Sequence, residues 1–203
     1  GEPVSAGQTI AELDNAIQYA EWQRAKAVLA STQAQLASGR DSAKQSETNL
    51  TNTLIGTYVT ADDLVNNKID KFYLDGKGTG PVFNVTRDNG DGTMIILQAT
   101  NAEMSYQLSM KRLAVGKMLS TWRSDLNQQI ATNSWSTATD DSVKNLNQIR
   151  ELLDLMSQAV NKFYSADARY QAIVDAYKTE ISVARSQVNS TINGLIASYD
   201  QHQ

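Results

Sequence analysis

The chain has 203 residues, a formal net charge of −4, a single histidine and no cysteine. That length can bury a real core, as one large domain or two small ones. The lack of cysteine excludes disulfides and thiolate metal sites, and a mildly acidic chain without basic runs is a poor partner for nucleic acid or an anionic membrane.

Aromatic residues make up 7% of the chain and there are two prolines, which suits long helices with modest seams better than a compact enzyme. Residues 1–8 are short and polar. Thr9-Ile10-Ala11-Glu12 has the form of a capping box. It predicts a helix to about Ser38 with a seam of Ile10, Leu13, Ile17, Ala20, Val28 and Leu36. Gly39 punctuates the pattern. Arg40 to Leu54, carried by Ala43, Leu50 and Leu54, is a second helical piece or a continuation of the first, since glycine costs only about 1 kcal/mol inside a helix. Residues 56–60 break the period. Thr60-Ala61-Asp62-Asp63 then starts a short helix to about Tyr73, supported by Leu64, Val65 and Ile69. Residues 75–81, with Gly76, Gly78 and Gly80, form a loop.

The period next changes from helix to strand. Val82-Phe83-Asn84-Val85-Thr86 and Thr93-Met94-Ile95-Ile96-Leu97 flank Arg87-Asp88-Asn89-Gly90-Asp91-Gly92. Two β-prone runs around Asn-Gly and Asp-Gly predict a β-hairpin. Thr100-Asn101-Ala102-Glu103 is a third capping box. The helix behind it carries Met104, Leu108, Val115, Leu119, Trp122, Leu126 and Ile130, close to a 3.6 period. Residues 131–141 are polar and serine/threonine-rich, a connection.

The last stretch, Val143 to Tyr199, organises the chain. Leu146, Ile149, Leu153, Met156, Val160, Phe163, Ala166, Tyr170, Ile173, Tyr177, Ile181, Ala184, Val188, Ile192, Leu195 and Tyr199 recur in steps averaging about 3.5, the spacing of a coiled-coil seam. Val174 flanks the same stripe. No proline interrupts it, and its one glycine is Gly194. One continuous helix this long needs a long partner helix, from the same chain or from neighbouring copies. The expected fold is therefore mainly α: an elongated helical bundle or coiled coil with a small mixed α/β insertion containing a β-hairpin. Residues 1–55 form an N-terminal helical region and 56–99 the insertion. Residues 100–203 hold a helix and the long C-terminal helix, one structural unit with 1–55.

Candidate chemistry is sparse. Asp88-Asn89-Gly90-Asp91-Gly92 has part of a calcium-loop pattern, but the place of its twelfth-position glutamate holds Ala99; turn chemistry explains these residues more simply. The three glycines near Gly78 are followed by neither a helix nor the Lys-Ser/Thr of a phosphate loop. Asp62-Asp63 and Asp140-Asp141 are expected at helix starts, where the macrodipole favours them. His202 is expected in an unstructured tail. No constellation points to catalysis, a metal or a cofactor, so the function expected is assembly. The candidate seam is Leu153, Met156, Val160, Phe163, Tyr170, Val174, Tyr177, Ile181, Val188, Ile192 and Leu195. Tyr164 falls off the seam and is a candidate subunit contact.

Ala159-Val160-Asn161-Lys162-Phe163-Tyr164-Ser165-Ala166-Asp167-Ala168-Arg169-Tyr170-Gln171-Ala172-Ile173-Val174-Asp175-Ala176-Tyr177-Lys178-Thr179-Glu180-Ile181-Ser182 resembles the last long helix of type III secretion needle-tip proteins, the hydrophilic translocators, and of the related EspA-like filament proteins. The matching features are Val160, Lys162, Phe163, Ser165-Ala166, Tyr170, Ile173-Val174 and Ile181-Ser182, over about 24 residues. The resemblance implies a secreted subunit of a surface appendage that self-assembles as an oligomer or filament. Its implied partners are the needle subunit, translocators and a host-cell surface. The chain is shorter than typical tip proteins and lacks an obvious N-terminal self-chaperoning domain. A second resemblance competes. Gly1-Glu2-Pro3-Val4-Ser5-Ala6-Gly7-Gln8-Thr9-Ile10-Ala11-Glu12-Leu13-Asp14 is similar to the end of the first lipoyl half in periplasmic membrane-fusion adaptors of efflux or type I secretion systems, where an alanine-rich coiled-coil hairpin follows.

Overall fold

A computed structural model describes residues 1–9, 11, 14–88, 94–98, 102–163 and 168–203; of 85–88, 94–98 and 168–170 it describes the backbone alone. The chain divides into two compact units, Gly1–Gln45 and Ser46–Gln203. Leu50 and Leu54 are fully buried and belong to the second unit.

The first unit opens on a tight turn. The Gln8 N–H donates to the Ser5 carbonyl at 3.0 Å. Gly7 sits at φ +91°, the left-handed third position of a type II turn, which glycine adopts without a Cβ clash. Helix α1, Ala16–Asp63, begins where the Ala16 N–H donates to Asp14 Oδ1 at 3.1 Å. Thr9 and Ala11 are not helical, so the Thr9 box does not start the helix. Every described residue of this unit is exposed, including Ile17, Ala20, Val28 and Leu36 of the expected seam; Ile10 and Leu13 lie outside the described residues.

The expected break at 56–60 does not occur. Leu50, Leu54, Thr57, Ala61 and Leu64 are all buried, at steps of four and three. That unbroken face holds the helix through Gly56. At Leu64–Ile69 the helix widens to a π-helical turn, followed by a 3₁₀ turn at Asp70–Phe72. Asp62 and Asp63 are therefore near a helix end, not a start. Asn66 Nδ2 donates to Asp62 Oδ1 at 2.8 Å and Asn67 Nδ2 to Asp63 Oδ1 at 2.7 Å, which ties their carboxylates to the widened turn.

Strands β1 (Tyr73–Leu74), β2 (Val82–Asp88) and β3 (Met94–Gln98) form an antiparallel sheet in that order. The expected hairpin is β2–β3, in register Asn84↔Gln98, Thr86↔Ile96 and Asp88↔Met94. Its Asn-Gly and Asp-Gly turn, with the partial calcium pattern, lies outside the described residues apart from Asp88. Strand β1 pairs Tyr73 with Phe83.

Three helices follow: α2 Ala102–Ala131, α3 Trp135–Asn161 and α4 Ala168–Asp200. Cross-helix contacts fix their directions. Lys111–Glu151 and Gln129–Asp141 run α2 antiparallel to α3. Arg185–Asp154 at 2.7 Å and the Trp135–His202 ring contact at 5.7 Å run α3 antiparallel to α4. Thr53–Ser198, Lys68–Gln187 and Lys71–Glu180 do the same for α4 and the end of α1. Tyr58–Trp122 and Asp70–Arg112 relate α1 to α2. The second unit is thus an up-down-up-down four-helix bundle carrying a small sheet, a mainly α fold.

Residues 135–141 are helical rather than a connection, because Ala138, Thr139 and Ser142 are small enough to be buried against the neighbouring helices. The real connection is Thr132–Ser134. The Ser134 N–H donates to the Gln129 carbonyl and the Asn133 N–H to the Ile130 carbonyl, with Asn133 at φ +54°; this is a Schellman cap with asparagine at its left-handed position. The single long helix over Val143–Tyr199 is instead the α3–α4 hairpin. The last turn of α3 tightens as the Lys162 and Phe163 N–H groups donate to the Ala159 and Val160 carbonyls, and Phe163 turns into the core. An antiparallel hairpin lets the two halves of the seam cover each other, so the stripe needs no neighbouring copy.

Candidate assembly surface

The C-terminal seam is core. Leu153, Met156 and Val160 on α3 and Val174, Tyr177, Ile181, Val188, Ile192 and Leu195 on α4 are all buried within one chain. Phe163 is buried too, in an aromatic cluster that pins the α3–α4 turn to the sheet. Its ring lies 6.4 Å from Phe83, which also meets Phe72 at 6.4 Å and Tyr73 at 5.4 Å; Phe72 meets Tyr177 edge-on at 5.2 Å. The side chain of Tyr170 and all of Tyr164 lie outside the described residues. His202 does not lie in a free tail: its ring packs on Trp135 and its Nδ1 is 3.4 Å from Ser46 Oγ.

Sequence reading missed Arg112. It sits on the buried face of α2, four residues from Leu108 and three from Val115, where the period predicts an apolar side chain. Its side chain is 3% exposed and its Nε and Nη2 donate to Asp70 Oδ1 at 2.6 and 2.5 Å. The loop after β1 closes over this pair. A Cβ on Gly76 would lie 2.6 Å from Asp70 Oδ1, which Arg112 holds in place, so only glycine fits there. Asp75 beside it is left-handed at φ +55°. Burial pushes the Tyr73 phenol well above the usual tyrosine value, with the Arg112 charge opposing and Asp70 adding to the rise; its hydroxyl donates to the Leu108 carbonyl at 3.3 Å. An open cleft of about 440 Å³ borders this region, lined by Tyr58, Asp62, Lys77, Arg112, Lys117 and Ser120. Arg112 is committed to Asp70 and Asp62 accepts from Asn66. The arrangement binds the polypeptide to itself and, among the described residues, presents no nucleophile paired with a base.

The first unit carries a dense set of exposed apolar side chains, while the second unit exposes Val59, Tyr106 and Val183 at scattered positions. Ile17, Tyr19, Trp22, Val28, Leu29 and Leu36 are all more than half exposed, Ile17 at 72%. Lys26 Nζ lies 5.1 Å over the Trp22 ring and Tyr19 meets Trp22 at 5.8 Å, local contacts that leave both rings open to solvent. A run of apolar side chains this dense on one helix marks a contact surface. The sequence pattern showed Ile17, Val28 and Leu36 of this set, missed Tyr19, Trp22 and Leu29, and did not show that they are uncovered within this chain.

No protein-family profile, curated protein or solved structure matches this chain. Among the described residues no helix is long and apolar enough to cross a membrane.

Proposed function

We propose that the chain is a non-enzymatic structural subunit of a bacterial export apparatus, assembled through helix–helix contacts. One observation carries the reading: residues 16–45 are helical, wholly exposed among their described members, and bear five large aliphatic or indole side chains plus Tyr19. A helix of that composition is stable when its stripe is covered by another helix. The finer form of the proposal is an extracellular subunit of a type III secretion appendage, at the needle tip or in a filament extending it. Its support is the resemblance of Ala159–Ser182, which here spans the end of α3 and the start of α4. In this form the buried C-terminal seam is internal scaffold and the N-terminal helix makes the contacts.

The adaptor reading has its own specific support. The type II turn at Ser5–Gln8 leads within ten residues into α1, the order in which the lipoyl half of a membrane-fusion adaptor is followed by its first coiled-coil helix.

The test is retention. Purified chain mixed with isolated needles and viewed by electron microscopy is expected to decorate or extend them, and Trp22→Asp and Leu36→Asp variants are expected to lose that binding while keeping the parent melting transition of the bundle. Pull-down from envelope extracts separates the readings, since an adaptor retains an inner-membrane pump and an outer-membrane channel. Retention of neither set of partners, or equal retention by the stripe variants, refutes the proposal.

A further inference from the structure

The exposed part of α1 sorts its side chains by size along a heptad register. Trp22, Leu29 and Leu36 recur every seven residues, and Ala43 continues their series. The second seam position, three residues on, holds Ala25, Thr32 and Gly39, with Gln18 one heptad before them. From Trp22 to Gly39, large and small residues therefore occupy separate registers of one coiled-coil seam.

We infer that this stripe pairs with the same stripe of a second copy, antiparallel and two-fold symmetric. The inference rests on the reading of α1 as an assembly surface and names its partner. In a parallel pair each seam residue meets its own copy: Trp22 would meet Trp22 and Gly39 would meet Gly39, crowding one layer and emptying the next. In an antiparallel pair the two seam registers face each other. Trp22 then sits opposite Gly39, Leu29 opposite Thr32 and Leu36 opposite Ala25. The outer layer places Gln18 opposite Ala43, again a long side chain against a short one. The largest side chain of the stripe faces the smallest, and residue 16 faces residue 45, so the paired seam runs the length of the exposed helix and leaves Ile17 outside it.

Gly39 is the decisive residue. Glycine is among the poorest helix formers, yet it lies inside α1, where a Cβ would meet no atom of the chain within 4 Å. Nothing within one copy requires a glycine there. The indole of Trp22 from a second copy does. The flanks agree with this register. Tyr19 faces Arg40 and Lys26 faces Gln33 on one side; Glu21 faces Ser42 and Val28 faces Gln35 on the other. No like charges meet in these pairs, and the Arg40 guanidinium comes within reach of the Tyr19 ring. Tyr19, Trp22, Val28, Leu29 and Leu36 are each more than half exposed in one copy, so pairing withdraws a continuous apolar face from water.

The chain has no cysteine, which makes orientation easy to test. Gln18→Cys and Ala43→Cys proteins are mixed and oxidised; disulfide-linked heterodimers are expected in excess over either homodimer. Excess Gln18→Cys homodimer overturns the orientation. In sedimentation velocity the 203-residue parent is expected to be dimeric at about 100 μM. Gly39→Leu and Trp22→Ala are each expected to weaken the dimer at least about tenfold with an unchanged bundle melting temperature. A parent that is monomeric at that concentration, or a Gly39→Leu dimer as tight as the parent, overturns the inference. A monomeric chain that still binds export components through Trp22 and Leu36 removes the second copy and leaves the proposed function standing. A dimer that binds no export component does the reverse.

Discussion

Replacing Arg112 by methionine tests the account of the bundle core most directly. The guanidinium is 3% exposed and the Asp70 carboxylate 12% exposed, and both of the pair's hydrogen bonds converge on Asp70 Oδ1. Asp70 Oδ2 is buried without a hydrogen-bond partner among the described residues. Removing the cation therefore strands a carboxylate under the Gly76 loop with its compensating charge gone. Breaking a buried pair from one side costs about 3–5 kcal/mol. With a urea slope of about 2 kcal/mol per molar for a unit of this size, the unfolding midpoint should fall by roughly 1.5–2.5 M. The double variant Arg112→Met/Asp70→Leu removes both charges and should recover most of that loss, because an apolar replacement needs no desolvation of charge. Urea titration followed by circular dichroism at 222 nm measures all three proteins. A single variant within about 0.5 M of the parent, or a double variant no more stable than the single, refutes the claim that the pair is buried and mutually dependent.

Phe163→Ala should destabilise by about 3–5 kcal/mol by opening a cavity beside Phe83; differential scanning calorimetry reads it as a loss of roughly 6–20 °C, and a shift under about 3 °C contradicts the pinned turn. Val160→Asp and Ile181→Asp each place an unpaired charge in the buried α3–α4 seam and should abolish the cooperative thermal transition. At the α2 cap, Asn133→Gly should hold or raise stability by a few tenths of a kcal/mol while Asn133→Val lowers it by about 1–2 kcal/mol, since only the latter forces a β-branched side chain to positive φ. Tyr73 gives a pH dependence with a definite sign. Its folded-state pKa is raised, so the folded state holds a proton that the unfolded chain releases near pH 10. Stability should be flat to about pH 9 and then fall by up to about 1.4 kcal/mol per pH unit. Urea midpoints from about pH 8 to 11 measure the slope, and Tyr73→Phe should flatten it; an unchanged slope in that variant locates the titration elsewhere.

Much of the fold was legible because it follows simple periods. The 3.6-residue spacing of α2 predicted Met104, Leu108, Val115, Leu119, Trp122 and Leu126 as buried, and the strand pattern with its turn residues predicted β2 and β3. What the sequence hid has particular causes. The α3–α4 turn carries no glycine or proline, and the seam keeps its spacing across it, so local signals report one helix. Tertiary packing of Phe163 on Phe83 decides otherwise. Gly56 and the acidic pair after it read as punctuation, while the buried face from Leu50 to Leu64 overrides both. Arg112 breaks the apolar period, and only the return of Asp70 to its side explains how it is tolerated. For the assembly surface, the positions of Ile17, Val28 and Leu36 were readable as a stripe. That they stay uncovered within the chain is something no local pattern encodes.

The order of pairing has a consequence for how the protein is made. Each helix of the bundle folds back on its predecessor, so most docking involves chain neighbours and can proceed quickly as the polypeptide emerges. The exception is the α1–α4 seam, where Ser46 meets Gln201 across 155 positions of sequence. Until synthesis reaches that final helix, Leu50, Leu54 and Leu64 lack their last cover, and a nascent or truncated product ending before about residue 180 would be the form that chaperones hold and proteases remove.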